Sequence, residues 1–103
     1  MDNEKIFKNK IAFDIDGTLL NTKDNPNYWV INLLLWFNKI GWDIIVWSGG
    51  GIDYTKTMVY RLGLEDMVRI IPKASEVVDI AVDDMMDGNY NLSDKIAKVI
   101  IKI

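Results

Sequence analysis

Residues 11–20 read Ile-Ala-Phe-Asp-Ile-Asp-Gly-Thr-Leu-Leu, and this stretch decides the fold that we predict for the whole chain. An apolar run that leads into acids is typical of a buried parallel strand, at whose carboxyl end open α/β sheets place their ligands. The i, i+2 spacing directs the side chains of Asp14 and Asp16 to one side of an extended backbone. Two carboxylates about 4 Å apart repel by roughly 4 kcal/mol at an effective dielectric of ~20, which a cation or a shared proton relieves. The same letters are also a turn signal, so the stretch alone leaves both interpretations open.

The composition restricts the chemistry that the chain can carry out. Its 103 residues, half of them hydrophobic, predict a single domain over residues 1–103 with a substantial core. It contains no cysteine and no histidine, which excludes a thiol nucleophile, a Ser-His hydrolase and a Cys or His metal site. Acid–base chemistry then falls to carboxylates, lysines or tyrosines, and a metal site built from oxygen favours magnesium or calcium.

The net charge and the apolar runs of the sequence allow predictions about binding partners and cellular location. The net charge is −3 and no long basic run occurs, so nucleic acid is not favoured as a partner. Residues 1–10 are polar and charged and lack the apolar segment of a secretory signal. The longest apolar run, residues 28–37, is too short to span a bilayer. We therefore expect a cytoplasmic protein without a membrane partner.

Apolar runs that favour strands alternate with segments that favour helices. Strands are predicted at residues 11–14, 43–47, 68–71, 79–82 and 98–103, the last of them an edge strand. Helices are predicted at residues 27–40 and 53–62, with one further helical turn at residues 75–78. This alternation predicts an α/β fold: a single three-layer Rossmann-like domain with a mainly parallel sheet of about five strands and right-handed crossovers.

Polar residues follow several of these strands, and we expect them to converge, because the carboxyl ends of parallel strands share one edge of the sheet. These residues are Asp14, Asp16, Ser48, Asp83 and Asp84.

Four short segments follow one another in an order that is informative. Asp-Ile-Asp-Gly-Thr-Leu at residues 14–19 is followed by Ser48 at the end of a strand, then by Lys73, and then by the acidic pair Asp83-Asp84. In this order they resemble the four motifs of the haloacid dehalogenase superfamily, which is dominated by phosphotransferases. The resemblance frames most of the chain, from residue 11 to Asp87. Asp87 adds an Asp-x-x-x-Asp spacing found in some members, although Asp-Gly-Asn at residues 87–89 is also typical of a turn.

The resemblance implies a magnesium-dependent phosphohydrolase, that is, a phosphomonoester phosphatase. Asp14 would be the nucleophile that forms an aspartyl-phosphate, and Asp16 the general acid and base. Ser48 and the amides after it, beginning with that of Gly49, would bind the phosphoryl oxygens, and Lys73 would neutralise them. The Mg²⁺ ligands would be Asp14, the backbone carbonyl of Asp16, Asp83 and, directly or through water, Asp84.

Some of these roles have alternatives. Lys56, in the helix after the second motif, is a rival to Lys73, because some family members place the lysine there. Ser48 is also consistent with a turn or helix-capping serine, and the glycines at residues 49–51 with a flexible turn. Asp83-Asp84 is consistent with a solvated helix cap.

The family's cap domain has no room in this sequence. Residues 20–43 hold a loop and one helix, and residues 49–72 hold one helix and one strand. The chain therefore resembles the capless members, whose open site suits macromolecular phosphoesters or a small molecule enclosed by a partner subunit. Two other functions stay open: a nucleic-acid end-processing phosphatase, and a phosphate-binding or regulatory module without turnover.

The predicted first helix is apolar on nearly every face at residues 28–37. A helix in a two-layer domain buries only one stripe, so packing on the sheet over a wide stripe competes with a homodimer contact.

Overall fold

The computed structural model describes residues 8–84 and 96–103, which form five strands and two helices. In chain order these are β1 (Lys10–Phe13), α1 (Tyr28–Lys39), β2 (Asp43–Val46), α2 (Ile52–Arg61), β3 (Arg69–Ile70), β4 (Val78–Asp83) and β5 (Ala97–Lys102).

The strands form one sheet in the order β3-β2-β1-β4-β5, and every neighbouring pair is parallel. This confirms the predicted α/β domain with a five-stranded Rossmann-like sheet, and the sheet is parallel throughout rather than mainly so. No cap domain occurs within residues 8–84 and 96–103. β1 lies at its centre, where Ala12 is in register with Ile45 of β2 and with Ala81 of β4. The chain leaves β1 towards β2 on one side and later returns to β4 on the other, so a topological switch point lies between β1 and β4.

The two faces of the sheet have different cores. On one face, Ile11 and Phe13 of β1 pack with Val30 and Leu34 of α1 and with Val59 of α2. Both helices therefore lie on this face, as right-handed crossovers in one direction require.

The opposite face carries a smaller apolar cluster. Ala12 and Ile45 pack there with the buried ring of Trp47, against Ile71 and Ala74 of the connection from β3 to β4. Side chains that alternate along each strand thus supply both cores. Residues 85–95, in the connection from β4 to β5, lie outside the described residues.

Residues 75–78 do not form the predicted helical turn. The Ser75 amide and hydroxyl both donate to the Pro72 carbonyl, which closes one tight turn, and Ala74 has a positive φ of 58° that a helix cannot continue through. Val78 already belongs to β4. β3 has only two residues, shorter than the predicted 68–71, whereas β5 is the predicted edge strand.

α1 buries Val30, Ile31 and Leu34 against the sheet and leaves several large apolar side chains exposed. These are Tyr28, Trp29, Leu35, Trp36 and, just after the helix, Ile40. Packing on the sheet therefore accounts for only part of the apolar surface predicted from the sequence. Neither helix in the described part of the chain has the length and apolar character needed to cross a membrane.

Candidate functional site

Three carboxylates meet where β1 and β4 end. Asp14 directly follows β1, Asp83 is the last residue of β4, and Asp84 comes next. One oxygen from each lies within 4.8 Å of the other two. The two strands are neighbours, with Phe13 in register with Val82, so the parallel sheet itself brings these acids together. The cluster lies at the switch point, the edge at which open α/β sheets bind ligands.

Lys73 supplies the positive charge of this cluster. Its Nζ lies 2.7 Å from Asp83 Oδ2 and 3.5 Å from Asp14 Oδ1, and its side chain is only 7 % exposed. The turn after β3 delivers it there, immediately before the positive φ of Ala74. The structure therefore brings Lys73 into the acidic cluster, whereas the rival Lys56 is exposed on α2.

Burial and the neighbouring charges shift the pKa of Asp14. Burial is the main cause that raises the pKa of Asp14 from 3.8 to about 7, and repulsion from Asp83 adds to it. Lys73 acts in the opposite direction but does not cancel the two. The fold therefore holds a carboxyl group whose ionised form it disfavours, which is a frequent property of functional sites.

Gly17 makes room for the third acid. A carboxylate oxygen of Asp84 lies where a Cβ at residue 17 would stand, and the φ of Gly17 is +76°. Only glycine fits this combination of a close approach and a left-handed backbone. The glycine of the first motif thus allows β4 to present Asp84 beside the loop that follows β1.

Asp16 is arranged differently from the other acids. It is exposed, and Oδ1 accepts a hydrogen bond of 2.6 Å from the Tyr54 hydroxyl. Burial and this hydrogen bond raise the pKa of Tyr54 to about 12, so the phenol keeps its proton at neutral pH. The side chain of Asp16 is not one of the three clustered acids, in keeping with the prediction that any metal contact of this residue is through its backbone.

The loop after β2 presents Ser48 and the glycines. Ser48 is 5 % exposed, and its Oγ accepts a hydrogen bond of 3.0 Å from the Gly50 amide. The loop leads directly into α2, where the Thr55 amide and hydroxyl both donate to the Gly51 carbonyl. Ser48 therefore has the predicted turn role, and the same hydroxyl retains its own proton for donation to a ligand. A helix N-terminus beside this loop is a favourable place for an anion.

The acidic cluster fits a hard divalent cation. Three carboxylates each offer an oxygen within 4.8 Å of the other two, and oxygen is the ligand that magnesium and calcium prefer. Asp14, Asp83 and Asp84 would hold the ion, which would favour the ionised form of the buried Asp14 carboxyl.

Tyr54 was not predicted from the sequence as a site residue, and the sequence left open whether Asp87 takes part in the site. The first turn of the helix after β2 lies at the same sheet edge as the site, and an aromatic hydroxyl there was the signal that could have identified Tyr54. Asp87 lies outside the described residues. The site thus joins Asp14, Asp83, Asp84 and Lys73 directly, with Asp16 linked to α2.

A scan against protein-family models, a search of curated proteins and a search of solved structures each returned no match.

Proposed function

We propose that this protein is a magnesium-dependent phosphatase that hydrolyses phosphomonoesters through an aspartyl-phosphate on Asp14, as members of the haloacid dehalogenase superfamily do. The observation that carries the proposal is the convergence of Asp14, Asp83 and Asp84 with Lys73 at the switch point of the sheet. The motif order of the sequence supports the same reaction.

The proposed reaction assigns one task to each side chain. The Asp14 carboxylate attacks phosphorus, so an Oδ–P bond forms and the bond from phosphorus to the ester oxygen breaks. Asp16 gives its proton to that leaving oxygen and then takes a proton from the water that hydrolyses the aspartyl-phosphate. Lys73 and Ser48, with the amide of Gly49, bind the phosphoryl oxygens. A bound Mg²⁺ would supply positive charge that stabilises the transferring phosphoryl group.

The pKa of Asp14 bears directly on this scheme. A nucleophilic carboxylate must be ionised, and burial and Asp83 hold the pKa of Asp14 at about 7 without a metal. A cation held by Asp14, Asp83 and Asp84 lowers that pKa and relieves the repulsion between the acids. The charges of the site therefore support a bound cation, as the resemblance does.

The absence of a cap points to the kind of substrate. The connection from β1 to α1 is a tight loop, in which Leu20 bridges both Asp16 and Pro26, and α2 alone separates β2 from β3. No inserted domain in the described part of the chain covers the site. An open site suits a phosphomonoester that projects from a larger molecule, and it selects poorly among small ones.

A phosphatase assay with and without Mg²⁺ tests the proposal. The panel contains nucleotides, sugar phosphates, phosphopeptides and 3′-phosphorylated oligonucleotides. We expect hydrolysis that EDTA abolishes and Mg²⁺ restores, that Asp14→Asn lacks, and that Asp66→Asn, an exposed acid beyond α2, retains. Full activity in EDTA would overturn the metal role. Phosphate binding without turnover would favour a regulatory module, and salt-dependent binding of oligonucleotides would favour an end-processing enzyme.

Asp16→Asn tests the general acid separately. We expect turnover of an alkyl phosphate to fall by about 10²–10⁴-fold, the usual contribution of a general acid–base group. Mg²⁺ binding, measured by calorimetry, should stay close to that of the wild type, because the carboxylate of Asp16 lies outside the acidic cluster. Near-normal turnover of the alkyl phosphate would show that Asp16 has another role.

A further inference from the structure

Tyr54 adds a side-chain hydrogen bond between two segments of the site that follow the neighbouring strands β1 and β2. It lies in the first turn of α2, and its hydroxyl donates to Asp16 Oδ1 at 2.6 Å across 38 residues of sequence. This length is typical of a strong hydrogen bond from a hydroxyl to an ionised carboxylate. The bond fastens the loop after β1 to the helix after β2.

The ring of Tyr54 is itself held by the glycine loop. A Cβ at residue 50 would stand 2.8 Å from Tyr54 Cδ2, closer than a Cβ atom comes to a non-bonded atom. The ring therefore lies directly on the Gly50 backbone, and any side chain there would displace it. Gly50 also donates its amide to Ser48 Oγ, so the ring, the loop and Ser48 form one packed unit.

Asp16 needs such support more than the other acids do. Asp14 and Asp83 are buried and contact Lys73, whereas Asp16 is exposed. An exposed carboxylate samples several rotamers, and misplacement of a catalytic group by about 1 Å can reduce a rate 10²-fold.

We propose that Tyr54 is a positioning residue, which holds the Asp16 carboxylate in the orientation for proton transfer to the leaving oxygen. The proposal rests on the phosphatase function proposed above. The Tyr54 hydroxyl donates a hydrogen bond to Oδ1, so Oδ2 is the oxygen that gives the proton to the leaving group and later receives one from water. Removal of the hydroxyl leaves the nucleophile, the metal ligands and Lys73 in place.

The test compares Tyr54→Phe with the wild type on two substrates. An alkyl phosphate needs a proton on its leaving oxygen, whereas p-nitrophenyl phosphate has a leaving group that departs with little help. We expect kcat for the alkyl phosphate to fall by about 10-fold with little change in KM, and kcat for the aryl phosphate to fall much less. Tyr60→Phe, an exposed tyrosine on the same helix, is the matched control and should change neither.

A second variant displaces the ring without removing the hydroxyl. Gly50→Ala should push the Tyr54 ring away from Asp16 and so break the hydrogen bond between them. Proton NMR observes the contact directly: the wild type should show a downfield, slowly exchanging Tyr54 hydroxyl resonance that both variants lack. This measurement does not depend on activity.

The outcomes separate the two proposals. An equal loss on both substrates, or no loss on either, would overturn the role of Tyr54 and leave the phosphatase function intact. Absence of the hydroxyl resonance from the wild type would do the same. A wild type inactive towards the whole substrate panel would overturn the phosphatase function and, with it, the role of Tyr54, even where the resonance is present.

Discussion

The two ends of the sheet both collect charged residues, but they arrange them in opposite ways. At the amino end, Arg69 of β3 donates to both oxygens of Asp43 at 3.0 and 2.8 Å and to Glu76 at 2.6 Å. Lys10 lies 3.1 Å from Glu76, and its amide donates to Asp79. Each of these acids has a basic partner, and the network is largely accessible to water.

At the carboxyl end, three acids come together, and two of them contact the same lysine. Asp14 and Asp83 are buried beside Asp84, and Lys73 is the cation that the structure places among them. The pKa values of one acid from each end of the sheet are shifted in opposite directions. Hydrogen bonds from Arg69 and then Lys10 lower the pKa of Glu76, whereas burial raises the pKa of Asp14 to about 7.

The comparison separates charges that serve the fold from charges that oppose it. Paired ions at the amino end, which are partly exposed, favour the folded state slightly, whereas the ionised form of the buried Asp14 disfavours it. A stable core that carries a locally unfavourable group is typical of a site maintained for binding or catalysis.

The largest expected effect is on turnover at the carboxyl end. Asp14→Asn should reduce kcat by about 10³-fold or more, because an amide is a poor nucleophile towards phosphorus. Steady-state kinetics with Mg²⁺ measures this, with the exposed Asp66→Asn as control. Retained turnover in the Asn variant would place the nucleophile elsewhere.

The same substitution should stabilise the metal-free protein. The folded-state pKa of Asp14 is raised from 3.8 to about 7, so its ionisation lowers the free energy of unfolding as pH rises through that interval, by up to about 4 kcal/mol. Urea denaturation in EDTA should therefore show Asp14→Asn more stable than the wild type at pH 8. The difference should shrink towards pH 4. An equal difference at both pH values would rule out ionisation of Asp14 as the cause.

The two candidate lysines should differ strongly. Lys73→Ala should reduce turnover by about 10²-fold, since it removes the ammonium group that contacts Asp14 and Asp83. Lys56→Ala changes an exposed side chain on α2 and should have little effect. The opposite ranking would move the phosphate-binding lysine to α2.

The smallest expected effect is at the amino end. Glu76→Gln should lower the free energy of unfolding by less than about 1 kcal/mol at pH 7, and by less still in high salt, because the ion pairs are partly exposed. The folded-state pKa of Glu76 is lowered, so this stabilisation is present above the unfolded-state pKa and is lost as pH falls through the folded-state value. A loss above about 2 kcal/mol, independent of salt, would contradict the distinction between the two ends.

Local patterns in the sequence were sufficient to predict the strands of the sheet and the convergence of the acids that follow them. The apolar runs before Asp14 and Asp83 predicted strands, and the shared edge of a parallel sheet predicted their convergence. The helical turn predicted at residues 75–78 does not form, because Ser75 donates to the Pro72 carbonyl and Ala74 adopts a positive φ. Local helix propensity indicates neither feature. The position of Tyr54 in the first turn of α2 was a signal in the sequence, but its contact with Asp16 depends on how α2 is rotated against the sheet.

The central position of β1 also determines when the site can form. Lys10 and Asp79, at the amino ends of β1 and β4, are 69 residues apart in the chain, and β1 pairs first in sequence with β2. During synthesis, β1, β2 and β3 are therefore complete before Asp83 and Asp84 exist. Because a long loop must close before β4 can dock, this pairing is a slow step. A divalent ion that needs all three acids would then bind the finished sheet and not the partly folded chain, so it would favour completion of folding over release of an intermediate.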